Sequence, residues 1–131
     1  MPGETDLDLL LQTMQPVLTA GDYVFSTLPP DAPVPPGLSP IGTFREAEGL
    51  TLILPAGEAA AAGVPGVFPC RLITLHVHSS LEAVGFLARI AAHLAAHSLP
   101  VNAVAGYFHD HLFVPADRAE EALALLEQLR A

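Results

Sequence analysis

Gly106 to Ala122, GYFHDHLFVPADRAEEA, holds a strand, a proline stop and a helix start within seventeen residues, and much of the chain reads as its second copy or its packing partner. His111, Leu112, Phe113 and Val114 form a short strand, and Pro115, which has no N–H to give to a ladder, ends it. Asp117 then opens a helix with Glu120 three residues on, the spacing of a capping box. Sixty residues upstream the order returns: Leu52, Ile53, Leu54 and Pro55 align with Leu112, Phe113, Val114 and Pro115, and Ala59 and Ala62 align with Ala119 and Ala122. Two copies at that separation fit a pair of small α+β units sharing one sheet, not a solenoid.

Working outward from this stretch, Arg71 to His78, RLITLHVH, alternates as a strand, with Ile73, Leu75 and Val77 on one face and Thr74, His76 and His78 on the other. Ser79 is expected to cap a long helix with Glu82 in the capping-box position. Val84, Leu87, Ile90, Ala91 and Leu94 form its expected buried stripe, and Glu82, Phe86, Arg89, His93 and His97 its opposite side. Pro100 stops the helix and Val101 to Tyr107 return as a strand. The second half therefore reads β-α-β-β-α, a ferredoxin-like plait lacking its last strand.

The first half begins with a helix that Thr5 caps and Leu7, Leu10, Leu11, Met14 and Leu18 stripe, followed by a strand from Tyr23 to Leu28. Residues 29–40, PPDAPVPPGLSP, hold six of the thirteen prolines and read as a stiff extended loop. Ile41 to Arg45 and Leu50 to Leu54 form a hairpin, Gly57 to Ala62 a short helix, and Gly63 to Gly66 a break between halves 1–66 and 67–131. This half reads α-β-β-β-α with its opening strand missing. Each half is short of one edge strand, and strand exchange within the chain or between two chains repairs both.

Composition narrows the function. The chain has 131 residues, room for one compact unit or two subdomains with a joint core. Hydrophobic residues make up 51% and charged residues 15%, so apolar surface is in excess and a homodimer is expected to cover some of it. The formal charge is -9, and the only basic residues besides histidine are five scattered arginines, which disfavours nucleic acid and anionic membrane as partners. Cys70 is the only cysteine, which excludes an internal disulfide or a cysteine-built zinc site and fits a reducing compartment. The opening MPGETDLD has no basic region leading into an apolar run, so a cytoplasmic location is expected.

Three strings carry a family resemblance: TFREAEGLTLILP (Thr43 to Pro55), RLITLHVHSSLEAVGFLA (Arg71 to Ala88) and NAVAGYFHDHLFVPADRAEEAL (Asn102 to Leu123). With them the chain resembles small bacterial proteins built from tandem ACT domains, and more distantly the ACT-built cytosolic amino-acid sensors of animals. The resemblance implies two α+β, ferredoxin-like β-α-β-β-α-β units in tandem, each an antiparallel sheet with helices on one face. It also implies a small ligand, commonly an amino acid, bound where two ACT units meet. Carried over by position, the loop and helix start that face such a ligand are His78, Ser79, Ser80, Leu81, Glu82, Ala83, Val84 and Gly85, and the neighbouring strand is Asn102, Ala103 and Val104. One departure stands out: many ligand-binding ACT domains place a glycine in that loop, whereas here Gly85 is read as lying inside the helix.

The residues themselves allow two accounts of the corner near Ser79. Free amides of a helix's first turn and the positive end of its dipole suit a carboxylate ligand. Alternatively, Ser79 and Glu82 satisfy those amides in a capping box, and the chain is a dimerising module with no ligand. A metal reading is also open, because His76 and His78 share one strand face and His109 and His111 another, with Asp110 between them. No P-loop, dinucleotide-binding turn, nucleophile elbow or HExxH string occurs, so no residue is given a catalytic role, no cofactor is called for, and a non-enzymatic protein is expected.

Overall fold

The computed structural model describes residues 3–130. In chain order they form α1 (Leu7–Thr13), β1 (Gln15–Leu18), β2 (Tyr23–Leu28), β3 (Gly42–Glu46), β4 (Gly49–Pro55), α2 (Ala56–Ala62) and β5 (Val67–His76). Then come α3 (Phe86–Ala95), β6 (Asn102–Ala105), β7 (Asp110–Pro115), a 3₁₀ turn at Ala116–Arg118, and α4 (Ala119–Gln128). Contacts group the chain into two compact units, one of Met1–Ala20 with Arg71–Ala131 and the other Gly21–Cys70. In this grouping α1 and β1 pack with the C-terminal residues.

In the unit Gly21–Cys70 the strand order is β3, β4, β2 and the first residues of β5, with antiparallel neighbours throughout. Val24, Leu52 and Leu54 point from one face of the sheet into a core closed by Ala59 of α2. The alternation puts these residues there: Val24 stands opposite Leu54 and Ser26 opposite Leu52 in the ladder. The opening strand of this unit is present as β2. What is missing is a helix between β2 and β3, where the proline-rich loop runs instead. Its Leu38 packs against the core, and the Ser39 amide donates to Glu58 Oε1 on α2. Proline rings remove the amide donors a helix needs, so the loop covers apolar surface with side chains alone.

In the other unit the order is β1, β5, β7, β6. The edge strand that the sequence lacks after α4 is β1, supplied by the chain's own early residues. It pairs antiparallel with β5, Gln15 opposite His76 and Leu18 opposite Ile73. Beyond the ladder, the Thr19 amide donates to the Leu72 carbonyl at 2.9 Å, and the Arg71 guanidinium donates to the Thr19 carbonyl at 3.0 and 3.2 Å. Leu10 and Met14, Ile73 and Leu75, Phe86, Ile90 and Leu94, Leu112 and Val114, and Leu125 and Leu126 form one core between the helices and this sheet.

The internal repeat holds in three dimensions. Pro55 and Pro115 each end a strand and start a helical turn with nearly the same backbone angles, φ -55° and ψ 133° against φ -52° and ψ 135°. The residues before them, Leu52 and Leu54 against Leu112 and Val114, are all buried, as are Ala59 and Ala119. Two helix starts depart from the expected capping. Asp6, not Thr5, caps α1 by accepting the Leu9 amide at 3.0 Å. Asp117 forms no cap with Glu120, because residues 116–118 wind as a 3₁₀ turn, and Arg118 instead pairs with Glu121 at 2.9 Å.

Ser26 faces the core of its unit, and its hydroxyl has no hydrogen-bond partner among the described residues. An unsatisfied buried hydroxyl costs stability that an apolar replacement recovers. Ser26→Ala should therefore raise stability by about 1 kcal/mol, read as a later urea midpoint with an unchanged slope; an earlier midpoint would mean the hydroxyl has a partner.

Candidate functional site

The C-terminal end of β5 builds the candidate site. After His76 the chain leaves the sheet in two tight turns, with the Val77 amide donating to Leu75 and the Ser79 amide to Val77, each at 2.9 Å. Ser79 is buried and its hydroxyl donates to Asp110 Oδ2 at 3.1 Å. Ser80 forms a turn by itself: its Oγ accepts the Glu82 amide at 3.0 Å and its carbonyl accepts the Ala83 amide at 3.0 Å. The helix starts only at Phe86, after Gly85 with φ +91°.

These contacts correct the expected long helix. No capping box links Ser79 and Glu82, since one hydroxyl is spent on Asp110 and the neighbouring one closes a local turn. The buried stripe is Phe86, Ile90 and Leu94 at four-residue spacing, so Phe86, expected on the open side, is 3% exposed. Val84, expected in the stripe, is 85% exposed, and Ala91 is exposed as well. Gly85 therefore belongs to the loop, where its left-handed backbone is one that L side chains rarely adopt. The apparent departure from the loop-glycine pattern disappears.

Between the loop, the start of α3 and the ends of β6 and β7 lies a cavity of about 150 Å³. Of the residues expected at a ligand, Ser79, Ser80, Leu81, Ala83 and Gly85 line it. His78 and Glu82 line a neighbouring cleft of about 460 Å³ together with Tyr107. Val84 lines neither, and Asn102, Ala103 and Val104 stand exposed on β6, whose next residue, Ala105, reaches the cavity. Sequence reasoning did not assign Phe86 or Asp110 to this site. The only available signal for Asp110 was a carboxylate starting a strand between two histidines.

The lining is chemically two-sided. No side chain caps α3, so the first-turn amides at Phe86, Leu87 and Ala88 keep the donor character of a helix start, and all three residues line the cavity. Asp110, 7% exposed, lines the same cavity. Burial pushes its carboxyl above the ordinary value, against the Ser79 hydrogen bond and the nearby His111 and His109, which pull it down.

The histidines do not converge on one point. His76 and His109 stack with ring centroids 4.9 Å apart, His78 rests against Phe108 at 5.3 Å, and His111 Nδ1 lies 3.0 Å from the Thr74 hydroxyl. Burial and the adjacent His109 hold His111 below the usual imidazole value despite Asp110. Among the described residues no group of three or more His, Cys, Asp and Glu is placed to hold a metal ion. Neither is any helix among them long and apolar enough to cross a membrane.

Antiparallel sheets with the β1, β5, β7, β6 order and helices packed on one face define a ferredoxin-like α+β protein. Family profiles described as ACT domain match residues 2–71 and 67–128, and the chain belongs to the ACT-domain family, with two such domains in tandem. Among solved structures, a Vibrio cholerae protein of unknown function, described as a possible transport protein, is 47% identical with a TM-score of 0.84, covering 95% of this chain and 96% of that one. An Agrobacterium tumefaciens protein is 16% identical with a TM-score of 0.75 over 89% of each chain. The ligand-free regulatory subunit of aspartate kinase from Thermus thermophilus is 14% identical with a TM-score of 0.62, covering 92% of this chain and 99% of that one. The last two likenesses concern the fold alone. No curated protein matches the chain.

Because its folded carboxyl sits above the unfolded value, Asp110 lowers stability wherever it is ionised, and this cost fades as pH falls through the folded value to below the unfolded one. Asp110→Asn should thus melt higher than the parent at neutral pH, with the gap closing towards about pH 4. Equal melting at neutral pH would show that no penalty exists.

Proposed function

We propose that this ACT-domain protein is a non-catalytic regulatory protein that binds a free amino acid, or a similar small carboxylate, in the cavity beside Ser79. The carrying observation is the pairing of uncapped helix amides at Phe86 to Ala88 with a buried carboxylate at Asp110 on the same cavity. A zwitterion matches both walls: its carboxylate accepts from the amides at the positive end of α3, and its ammonium donates to Asp110. The cavity is about 150 Å³, room for about five waters at roughly 30 Å³ each. That suits the common core of an amino acid, with Ser80 and Leu81 as the wall shared with the larger cleft beside it.

The partner we infer is a second copy of the chain, in the cytoplasm. β6 is the outer strand of its sheet, is exposed throughout, and carries no Lys or Pro to protect its edge. Antiparallel pairing of two β6 strands would bring Asn102, Ala103 and Val104 of a neighbour next to the ligand loop. Leu81, Tyr107 and Phe108, each more than half exposed, supply apolar surface around it. Ligand binding would then favour whichever assembly contacts the ligand better.

Screening the standard amino acids at millimolar concentration by thermal shift should find one or a few that raise the melting temperature with concentration. Asp110→Asn should weaken that ligand by about 10- to 100-fold, the loss expected for one charge-assisted hydrogen bond. In the parent protein affinity should decline as pH drops through the raised Asp110 value, because a protonated carboxyl no longer attracts ammonium. A melting temperature that no amino acid moves would favour the ligand-free dimerising module instead.

A further inference from the structure

The loop that walls the cavity is held from outside by a segment that the ligand-binding reading does not use. Before α1, the Glu4 backbone makes a parallel bridge to Ser79: its N–H donates to the His78 carbonyl at 2.8 Å, and its carbonyl accepts the Ser80 amide at 2.9 Å. Gly3 lies so close to the loop that a Cβ would stand 2.5 Å from His78 O, 2.6 Å from Ser79 C and 2.7 Å from Ser80 N. All three are backbone atoms, so no rotamer change relieves the contact and only glycine fits. The segment is itself stiff, because Glu4 Oε1 accepts the Thr5 amide at 2.9 Å and the Asp6 amide at 3.0 Å, leading into the Asp6 cap of α1. At the other end of the loop, Leu7 lies 3.6 Å from where a Cβ on Gly85 would be.

We propose that residues Gly3 to Leu7 are a strap that holds the ligand loop, Val77 to Gly85, in the conformation that carries the cavity, and so set affinity for the ligand. The proposal rests on the ligand-binding reading only for its second half. Ser79 shows how the arrangement works: its hydroxyl is tied inward to Asp110, while the residues on either side of it are tied outward to Glu4. With both ties made, Ser79 and Ser80 are held between β7 and the segment before α1. If the outer tie is released, the Ser79 hydroxyl, the tight turns at Val77, Ser79 and Ser80, and the packing of Val77 and Ala83 remain to hold a loop that contributes no residue to a helix or sheet ladder. Gly3 also forms part of the wall of the larger cleft with His78, Glu82 and Tyr107, so the strap borders the ligand's surroundings directly.

The test is amide hydrogen exchange on the full chain, comparing the parent with Gly3→Ala, Glu4→Pro and Glu4→Ala. Gly3→Ala introduces the clashing Cβ, Glu4→Pro removes the bridging N–H, and Glu4→Ala keeps the backbone bridge. Exchange at Ser80 should quicken by about tenfold or more in the first two variants, as expected for losing the backbone pair, and stay near the parent rate in the third. Exchange in β7 and α4 should not change. Ser80 rates within about twofold of the parent in both Gly3→Ala and Glu4→Pro would overturn the strap. So would loosening of β7 and α4 to the same degree, which would make the segment a general support of the unit. For whichever amino acid stabilises the parent, Gly3→Ala should raise Kd about tenfold; an unchanged Kd with a freed loop would overturn the affinity half. If the loop is freed and no amino acid binds even the parent, the ligand-binding reading fails while the strap stands.

Discussion

The antiparallel pairing of Gln15–Leu18 with Ile73–His76 is the contact on which the C-terminal unit depends. A β-α-β-β-α segment ends with an open ladder edge on its first strand, and an edge strand with unpaired amides and carbonyls is a site for unwanted pairing. Supplying that strand from the beginning of the chain closes the edge and brings α1 with it. Leu10, Leu11 and Met14 then complete the core around Ile73, Leu75 and Leu94. Since the residues before α1 must follow, the same pairing places Gly3 and Glu4 against the loop that leaves β5.

That loop is where structure turns into chemistry. Its conformation is fixed by the packing of Val77 and Ala83 and by backbone and hydroxyl hydrogen bonds: Ser79 to Asp110, Ser80 to its own turn, and Glu4 across both neighbours of Ser79. The consequence is a helix that begins late, at Phe86, with a left-handed glycine in front of it and no side chain over its amides. A short cap would have filled this corner; instead donors and a buried acid face one cavity. Keeping Asp110 buried costs stability in the empty protein, a cost that a cationic group in the cavity would offset.

The two ACT domains share a strand-proline-helix junction but have diverged around it. In residues 21–70 a proline-rich loop stands where the plait has a helix, and its cavities border that loop, α2 and the β3–β4 hairpin. α2 is a seven-residue helix rich in alanine, closed by Gly63 in a left-handed conformation. In Arg71 onward both helices of the plait are present, and α3 starts beside the cavity that Asp110 also lines.

By itself the sequence determined the class of fold, the repeat and most strands, because these follow from short-range signals. Alternating Ile73, Leu75 and Val77, the prolines at 55 and 115, and the glycine turn after β3 act within a few residues of themselves. Through the resemblance carried by RLITLHVHSSLEAVGFLA it also pointed to the loop after β5, several of whose residues line the cavity. What only the tertiary structure decided was where partners lie when they are distant in sequence. Ser79 looked like a cap because Glu82 follows at the right spacing, but Asp110, thirty-one residues away, takes its hydroxyl. Phe86 looked exposed because the stripe was counted from Val84, which lies in the loop before the helix; counted from the true start at Phe86, the stripe runs Phe86, Ile90, Leu94. β1 and the Gly3–Glu4 bridge carry no local signal for the same reason: a strand four residues long and a single bridge are stable only when the strand or loop they pair with is already in place.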